Sequence, residues 1–153
     1  MPYLIRYSFS QQFAVSARAA FDWCTDYRTD DHELTGNANV KHTISKITDS
    51  TILLKDTFQT GGSTVEKEKL VQLYPDRLMW ISTHLSGPTK YSQFIYQIIP
   101  QGKCTSRLDF SALHVEHKEG LSKKDLEQLT GELCSGDSAM WRLFAAAMEK
   151  EFG

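Results

Sequence analysis

The chain has 153 residues, of which 41% are apolar, 24% charged and 11% aromatic, with a formal net charge of -2. That length supports one domain with a sizeable core, and the composition is far from the low-hydrophobicity, high-charge signature of disorder. No window is dominated by Lys and Arg and no apolar run approaches the ~18 residues of a membrane span, so neither nucleic acid nor integral membrane association is expected.

The start, MPYLIRYSFSQQF, lacks a charged region followed by an apolar one, so a cytoplasmic protein is expected. From Tyr3 to Phe13 the residues alternate. Tyr3, Ile5, Tyr7, Phe9 and Phe13 fall on one face and Arg6, Ser8, Ser10 and Gln12 on the other, the pattern of a strand with one buried side. Ser16 precedes ARAAFDWC, where Ala17, Ala20, Phe21 and Cys24 recur at helical spacing behind a good N-cap residue. Thr25 to Asn39 is polar and acid-rich, and reads as a second short helical turn or an irregular surface excursion.

From Val40 to Glu116 β-branched and aromatic residues alternate with polar ones. Turn residues at Asp49-Ser50, Gly61-Gly62, Pro75-Asp76, Gly87-Pro88 and Gln101-Gly102-Lys103 divide the stretch into six strands, at 40–48, 51–60, 63–74, 77–86, 90–100 and 104–116. Connections this short forbid parallel crossovers, so the strands form an antiparallel meander and the first strand closes one edge. In the tail, Leu126, Leu129, Leu133, Met140, Phe144, Met148 and Phe152 form a helical stripe, with Gly136 in the missing place. Ser122 with Asp125 resembles a capping box, so the helix starts near Lys123. Gly131 and the cluster Ser135-Gly136-Asp137 predict a kink or break, and Gly136 is the expected place for a pocket to open.

The order is therefore strand, short helical pair, six strands and one long helix, an α+β chain of pattern β-α-α-β6-α. A curled seven-stranded sheet has one apolar face to cover, and only the last helix is long enough to cover it. Where curvature outruns the side chains, a cavity remains between sheet and helix. This layout, with FAVSARAAFDWCTDYRTDD after the first strand, LYPDRLMW in the middle and AMWRLFAAAMEKEF at the end, resembles the START-like (SRPBCC) superfamily of Bet v 1-type, polyketide cyclase/dehydrase and lipid-transfer proteins. The resemblance spans nearly the whole chain. It implies a single helix-grip domain over 1–153 with an internal hydrophobic pocket, and leaves the ligand unnamed.

Alternation assigns a lining to that pocket. Ile52, Leu54, Asp56 and Phe58 share one face, as do Leu78, Trp80, Ser82 and His84; so do Phe94, Tyr96 and Ile98, and Leu108, Phe110, Ala112 and His114. With Leu133, Gly136, Met140 and Phe144 from the helix, these strands supply the expected cavity residues. Asp56, His84, Tyr96 and His114 are polar intruders that need a partner or a ligand, although both histidines sit near strand ends where water has access. Trp23 and Trp141 fit either the pocket or the core, and the core is favoured by the area an indole buries. Asp30, Asp31, His32 and Glu33 cannot converge on one ion and read as a solvated turn, while Glu66-Lys67-Glu68-Lys69 reads as an exposed, cross-strand-paired stretch. Widely spaced Cys24, Cys104 and Cys134 suggest neither a disulfide framework nor zinc. Without a nucleophile elbow, phosphate loop or dinucleotide fingerprint, no metal or cofactor is expected. The leading expectation is a binding or carrier protein for a small hydrophobic molecule. Its rivals are a cyclase/dehydrase-type enzyme using the cavity His, Tyr and Asp, and a co-chaperone-like interaction module.

Overall fold

The computed structural model describes residues 1–27 and 40–153. The acidic stretch Asp30 to Glu33, and most of the second helical turn expected between Thr25 and Asn39, lie outside them. Seven antiparallel strands form one sheet: β1 (Tyr3–Phe13), β2 (Val40–Thr48), β3 (Thr51–Thr60), β4 (Ser63–Tyr74), β5 (Met79–His84), β6 (Gln93–Gly102) and β7 (Thr105–Glu116). Their spatial order is β1-β7-β6-β5-β4-β3-β2. The meander runs from β2 to β7, and β1 joins at the far end by pairing with β7 from Tyr3↔Glu116 to Phe13↔Ser106. Among the described residues two helices flank the meander in the chain, α1 (Ala17–Thr25) and α2 (Lys123–Phe152).

Several expected strand boundaries move: β6 runs Gln93–Gly102 where 90–100 is expected, and β5 ends at His84 where 86 is expected. A strand from residue 77 was anticipated, yet β5 begins at Met79 because Pro75–Arg77 forms a 3-10 turn and Leu78 takes a left-handed conformation with φ 51°. Pro75 fixes its own φ at the head of that turn, and Leu78 reverses the chain before pairing resumes. The inward faces follow the alternation: Ile52, Leu54, Val71, Trp80, Ile98, Leu108 and Phe110 are all buried.

α2 does not break. It is one helix of 30 residues, and Gly131 and Gly136 lie on its exposed side, where an added Cβ at either would meet nothing within 4 Å. Each glycine costs about 1 kcal/mol relative to Ala in an isolated helix, but this helix is tied down along its length. At its start, Asp125 N–H donates to Ser122 Oγ at 3.1 Å and Ser122 N–H to Asp125 Oδ2 at 2.9 Å, while Leu121 N–H donates to the Tyr3 hydroxyl at 3.2 Å. In the middle, the Tyr7 hydroxyl on β1 donates to Asp137. Near the end, Trp23 Nε1 on α1 donates to Glu151 Oε2 at 2.7 Å. Tertiary tethers of this kind, rather than propensity, hold most protein helices together. The apolar stripe also differs from the one expected, since Phe152 at its end is 51% exposed and Trp141 is the buried anchor at 5%.

α1 is capped by Ser16, whose Oγ accepts from Ala19 N–H at 3.2 Å. It is held to β7 by Ser106, which donates to the Val15 carbonyl at 3.0 Å. The core between the helices and the β5–β7 side is largely aromatic. Phe21 meets Trp80 edge-on at 5.8 Å, and Trp141 meets Phe144 edge-on at 5.2 Å, arrangements that suit ring quadrupoles.

Candidate functional site

Between the curled sheet and α2 lies a cavity of about 460 Å³. Its aromatic floor is built by β5, β6 and β7. Trp80 and Tyr96 are cross-strand neighbours in register and stack at 4.8 Å with planes 4° apart; Phe110 meets Tyr96 edge-on at 5.2 Å. Phe94 continues that floor, and Met140, Trp141 and Phe144 face it from α2. Trp23 comes in from α1, so Trp23 and Trp141, which the sequence left between core and pocket, belong to both. The Trp141 indole N–H has no hydrogen-bond partner among the described residues. An orphaned donor costs about 1–3 kcal/mol, which the ring contacts around this side chain outweigh.

Of the residues placed in the pocket from sequence, Asp56, Phe58, Trp80, His84, Phe94, Tyr96, Phe110, Met140 and Phe144 line it. His114, Leu133 and Gly136 do not. His114 is buried beside Glu116, whose Oε2 is 3.0 Å from its Nε2, so its polarity is satisfied within its own strand. Leu133 is half-buried one turn before the cavity, and Gly136 faces solvent. The next residue, Asp137, which sequence reasoning absorbed into a helix-breaking cluster, lines the pocket instead.

The second wall is polar and comes from β3, β4 and the end of β5. Cross-strand register sets Asp56 opposite Lys67 and Leu54 opposite Lys69, with all four side chains lining the cavity. The expectation of an exposed Glu66–Lys69 stretch is therefore half corrected. Glu66 and Glu68 point outward, with Lys55 Nζ 3.8 and 3.7 Å from their carboxylates, whereas Lys67 and Lys69 point in. Lys69 Nζ lies 3.3 Å from Asp56 Oδ2. This gives the buried Asp56 carboxylate a partner, without which burial of its charge would be prohibitive.

His84 closes the polar wall. Its Nδ1 is 2.7 Å from Thr89 Oγ1 and its ring lies against Phe94 at 4.9 Å. Burial, reinforced by the Lys69 and Lys67 charges, pushes its pKa down to about 3, so the imidazole is neutral at physiological pH. Across the cavity, burial raises the Asp137 carboxyl above the usual carboxylate range, against the opposing effect of the Tyr7 hydrogen bond. Burial likewise raises the hydroxyls of Tyr7 and Tyr96, so both remain protonated donors. The cavity thus offers an aromatic surface, a neutral imidazole, the phenolic donor of Tyr96, a carboxyl with raised affinity for its proton, and two ammonium groups. No group of three or more His, Cys, Asp or Glu converges as a metal site among the described residues, and no helix of the described residues is long and apolar enough to cross a membrane.

No protein-family model and no curated protein matches the sequence. Solved structures do match it in fold. The Zhui aromatase/cyclase from a Streptomyces species superposes with TM-score 0.78 at 10% identity, covering 99% of this chain and 97% of that one. Norcoclaurine synthase from Thalictrum flavum, in complex with dopamine and hydroxybenzaldehyde, gives 0.72 at 14% identity over 99% of this chain and 90% of that one. A START superfamily protein from Mycobacterium smegmatis gives 0.70 at 17% identity, covering 95% and 98%. The chain has the START-like, Bet v 1-like helix-grip fold.

Proposed function

We propose that this START-like, Bet v 1-like chain binds a small hydrophobic molecule, aromatic in at least part, in the cavity between sheet and α2. The observation that carries this reading is the cavity itself: about 460 Å³ of space floored by the Trp80–Tyr96 stack and faced by Trp141 and Phe144. Small-molecule sites run roughly 300–1,000 Å³, with apolar walls and a few placed polar groups. Supporting it, one structural neighbour is an aromatase/cyclase and another is in complex with dopamine and hydroxybenzaldehyde. A ligand at a hundred times its Kd stabilises the folded state by about 2.7 kcal/mol. A melting-temperature screen against fatty acids, polyketide-like aromatics and simple arenes therefore tests the reading, with a rise expected for aromatic members. A flat screen, with a crystal structure showing the cavity filled by side chains, would contradict it.

Acid–base chemistry on the bound molecule is a second reading, of the cyclase/dehydrase kind. One observation favours it: His84 and Asp137 line the same cavity, so an imidazole and a carboxyl both face a bound molecule. An imidazole can take a proton α to a carbonyl while a phenol such as that of Tyr96 donates to its oxygen. Deuterium exchange at the α-carbon of an aromatic ketone, followed by NMR in heavy water, should exceed the buffer rate and fall in His84→Asn. Exchange at the buffer rate in the native protein removes this reading and leaves binding intact.

A further inference from the structure

Among the described residues, the polar wall pairs one of its two cavity-facing lysines and not the other. Asp56 stands between two lysines: it faces Lys67 in register, yet its Oδ2 lies 3.3 Å from Lys69 Nζ. Among the described residues no carboxylate lies within ion-pair distance of Lys67. Nor is Lys67 a loose surface lysine. Its stem lies on Gly87, where an added Cβ would come 3.1 Å from Lys67 Cγ, and Gly87 itself has φ +85°. Its ammonium lies 6.0 Å from the centre of the Phe58 ring, another cavity residue. The loop that carries Gly87 is fastened beside it, by Glu68 N–H donating to Ser86 Oγ at 2.9 Å and by the contact between Thr89 and His84.

A half-buried ammonium is costly to hold out of water, and its three N–H groups seek acceptors. The outward side of the same strand shows what pairing looks like here, with Lys55 shared between Glu66 and Glu68. On the inward side no carboxylate of the described residues is paired with Lys67, and the flanking imidazole, engaged by Thr89, carries no negative charge to offer. Opposite stands an aromatic floor with no cation of its own. A molecule that satisfies both walls has a flat apolar body and an oxyanion at one end.

We propose that Lys67 is a recognition residue for an oxyanion, and that the ligand of this cavity is an aromatic anion of the carboxylate or phenolate class rather than a neutral lipid or arene. The anion docks on the ammonium through charge-assisted hydrogen bonds, and the rings lie along Trp80, Tyr96 and Phe110. This rests on the cavity-binding reading above. Lys69 stays with Asp56 and holds the wall in shape.

The test is a calorimetric titration of the full chain with two probes that share a ring system, naphthoate and naphthylmethanol. Wild type is expected to bind naphthoate at least tenfold more tightly. Lys67→Met and Lys67→Gln are expected to lose that preference while keeping their affinity for naphthylmethanol. Lys55→Met, on the outer face, is expected to retain the preference, since it removes a positive charge without touching the cavity. Equal affinity for both probes in the native protein, or a preference that survives both Lys67 variants, overturns the assignment and leaves the cavity as a neutral binding site. Failure of both probes to bind overturns the cavity reading as well.

Discussion

Strands β1, β5, β6 and β7 turn Phe9, Phe13, Trp80, Ile98 and Phe110 toward the interior, whereas β3 and β4 turn Asp56, Lys67 and Lys69 into the same space. The helices explain the contrast, because α2 packs mainly on β1 while α1 packs on β6 and β7. Under the helices the inner face is mostly apolar, and its polar groups, Tyr7, Ser106 and His114, each have a partner. Beyond their cover, the same sheet can keep charges, provided each finds a partner or water. Core and cavity are therefore one continuous surface, divided by how far the helices reach.

Truncation on the two sides is the strongest way to break that division. Leu108, fully buried under the helices, should lose about 2–5 kcal/mol on change to Ala, because the void it leaves cannot collapse or fill. Leu54 is also buried, yet it borders the existing cavity. Leu54→Ala should cost less than half as much in chemical denaturation, since it enlarges a space that is already there. Equal losses would mean that the space beside Leu54 is packed as tightly as the core.

Acid titration gives a smaller effect with a defined sign. In the folded chain His84 is neutral down to about pH 3, against 6.5 for an unperturbed imidazole. The unfolded chain takes up this proton first as pH falls, so the contribution of a neutral His84 is intact above pH 6.5 and lost progressively toward pH 3. Asp137 acts oppositely. Its folded pKa is raised, so what it contributes is present at low pH and lost as pH rises through that value. His84→Asn, which can still meet Thr89, should flatten the fall in melting temperature between about pH 7 and pH 5. An unchanged slope would show that His84 is solvated rather than held neutral by burial.

The outer face should respond least. Glu66→Gln breaks one exposed contact of Lys55 at 3.8 Å, leaving Glu68 in place. Such pairs are worth about 0–1 kcal/mol, so urea midpoints should move by less than the Leu54 variant's shift. A larger change would mean that the outward charges brace the sheet, and that inner and outer faces are not independent.

Much of this organisation is legible in the sequence, for a physical reason. Period-two alternation over long strands fixes both the strand and its inward face, so Asp56, Trp80, His84, Tyr96 and Phe110 are placed on the correct side from pattern alone. The pattern is silent where both faces carry charge. In Glu66-Lys67-Glu68-Lys69 either register puts ions inside, and only the neighbouring apolar Val71, on the same face as both lysines, hints at which pair turns in. Asp137 was hidden by its neighbours: Ser135 and Gly136 look like a helix break until Tyr7, 130 residues away in sequence, is seen to hold Asp137 in place. His114 shows the converse, since alternation places it inward correctly but cannot say that Glu116 two residues on already satisfies it.

All three tryptophans, Trp23, Trp80 and Trp141, line the cavity. Their indole N–H signals in a nitrogen-proton correlation spectrum therefore report on the cavity without assignment of the rest of the chain. On titration with naphthoate all three should shift and saturate together, while backbone amides of the outer-face residues Glu66 and Ile95 stay still. Movement at the outer face with the three indole signals unmoved would contradict a ligand site between sheet and helix.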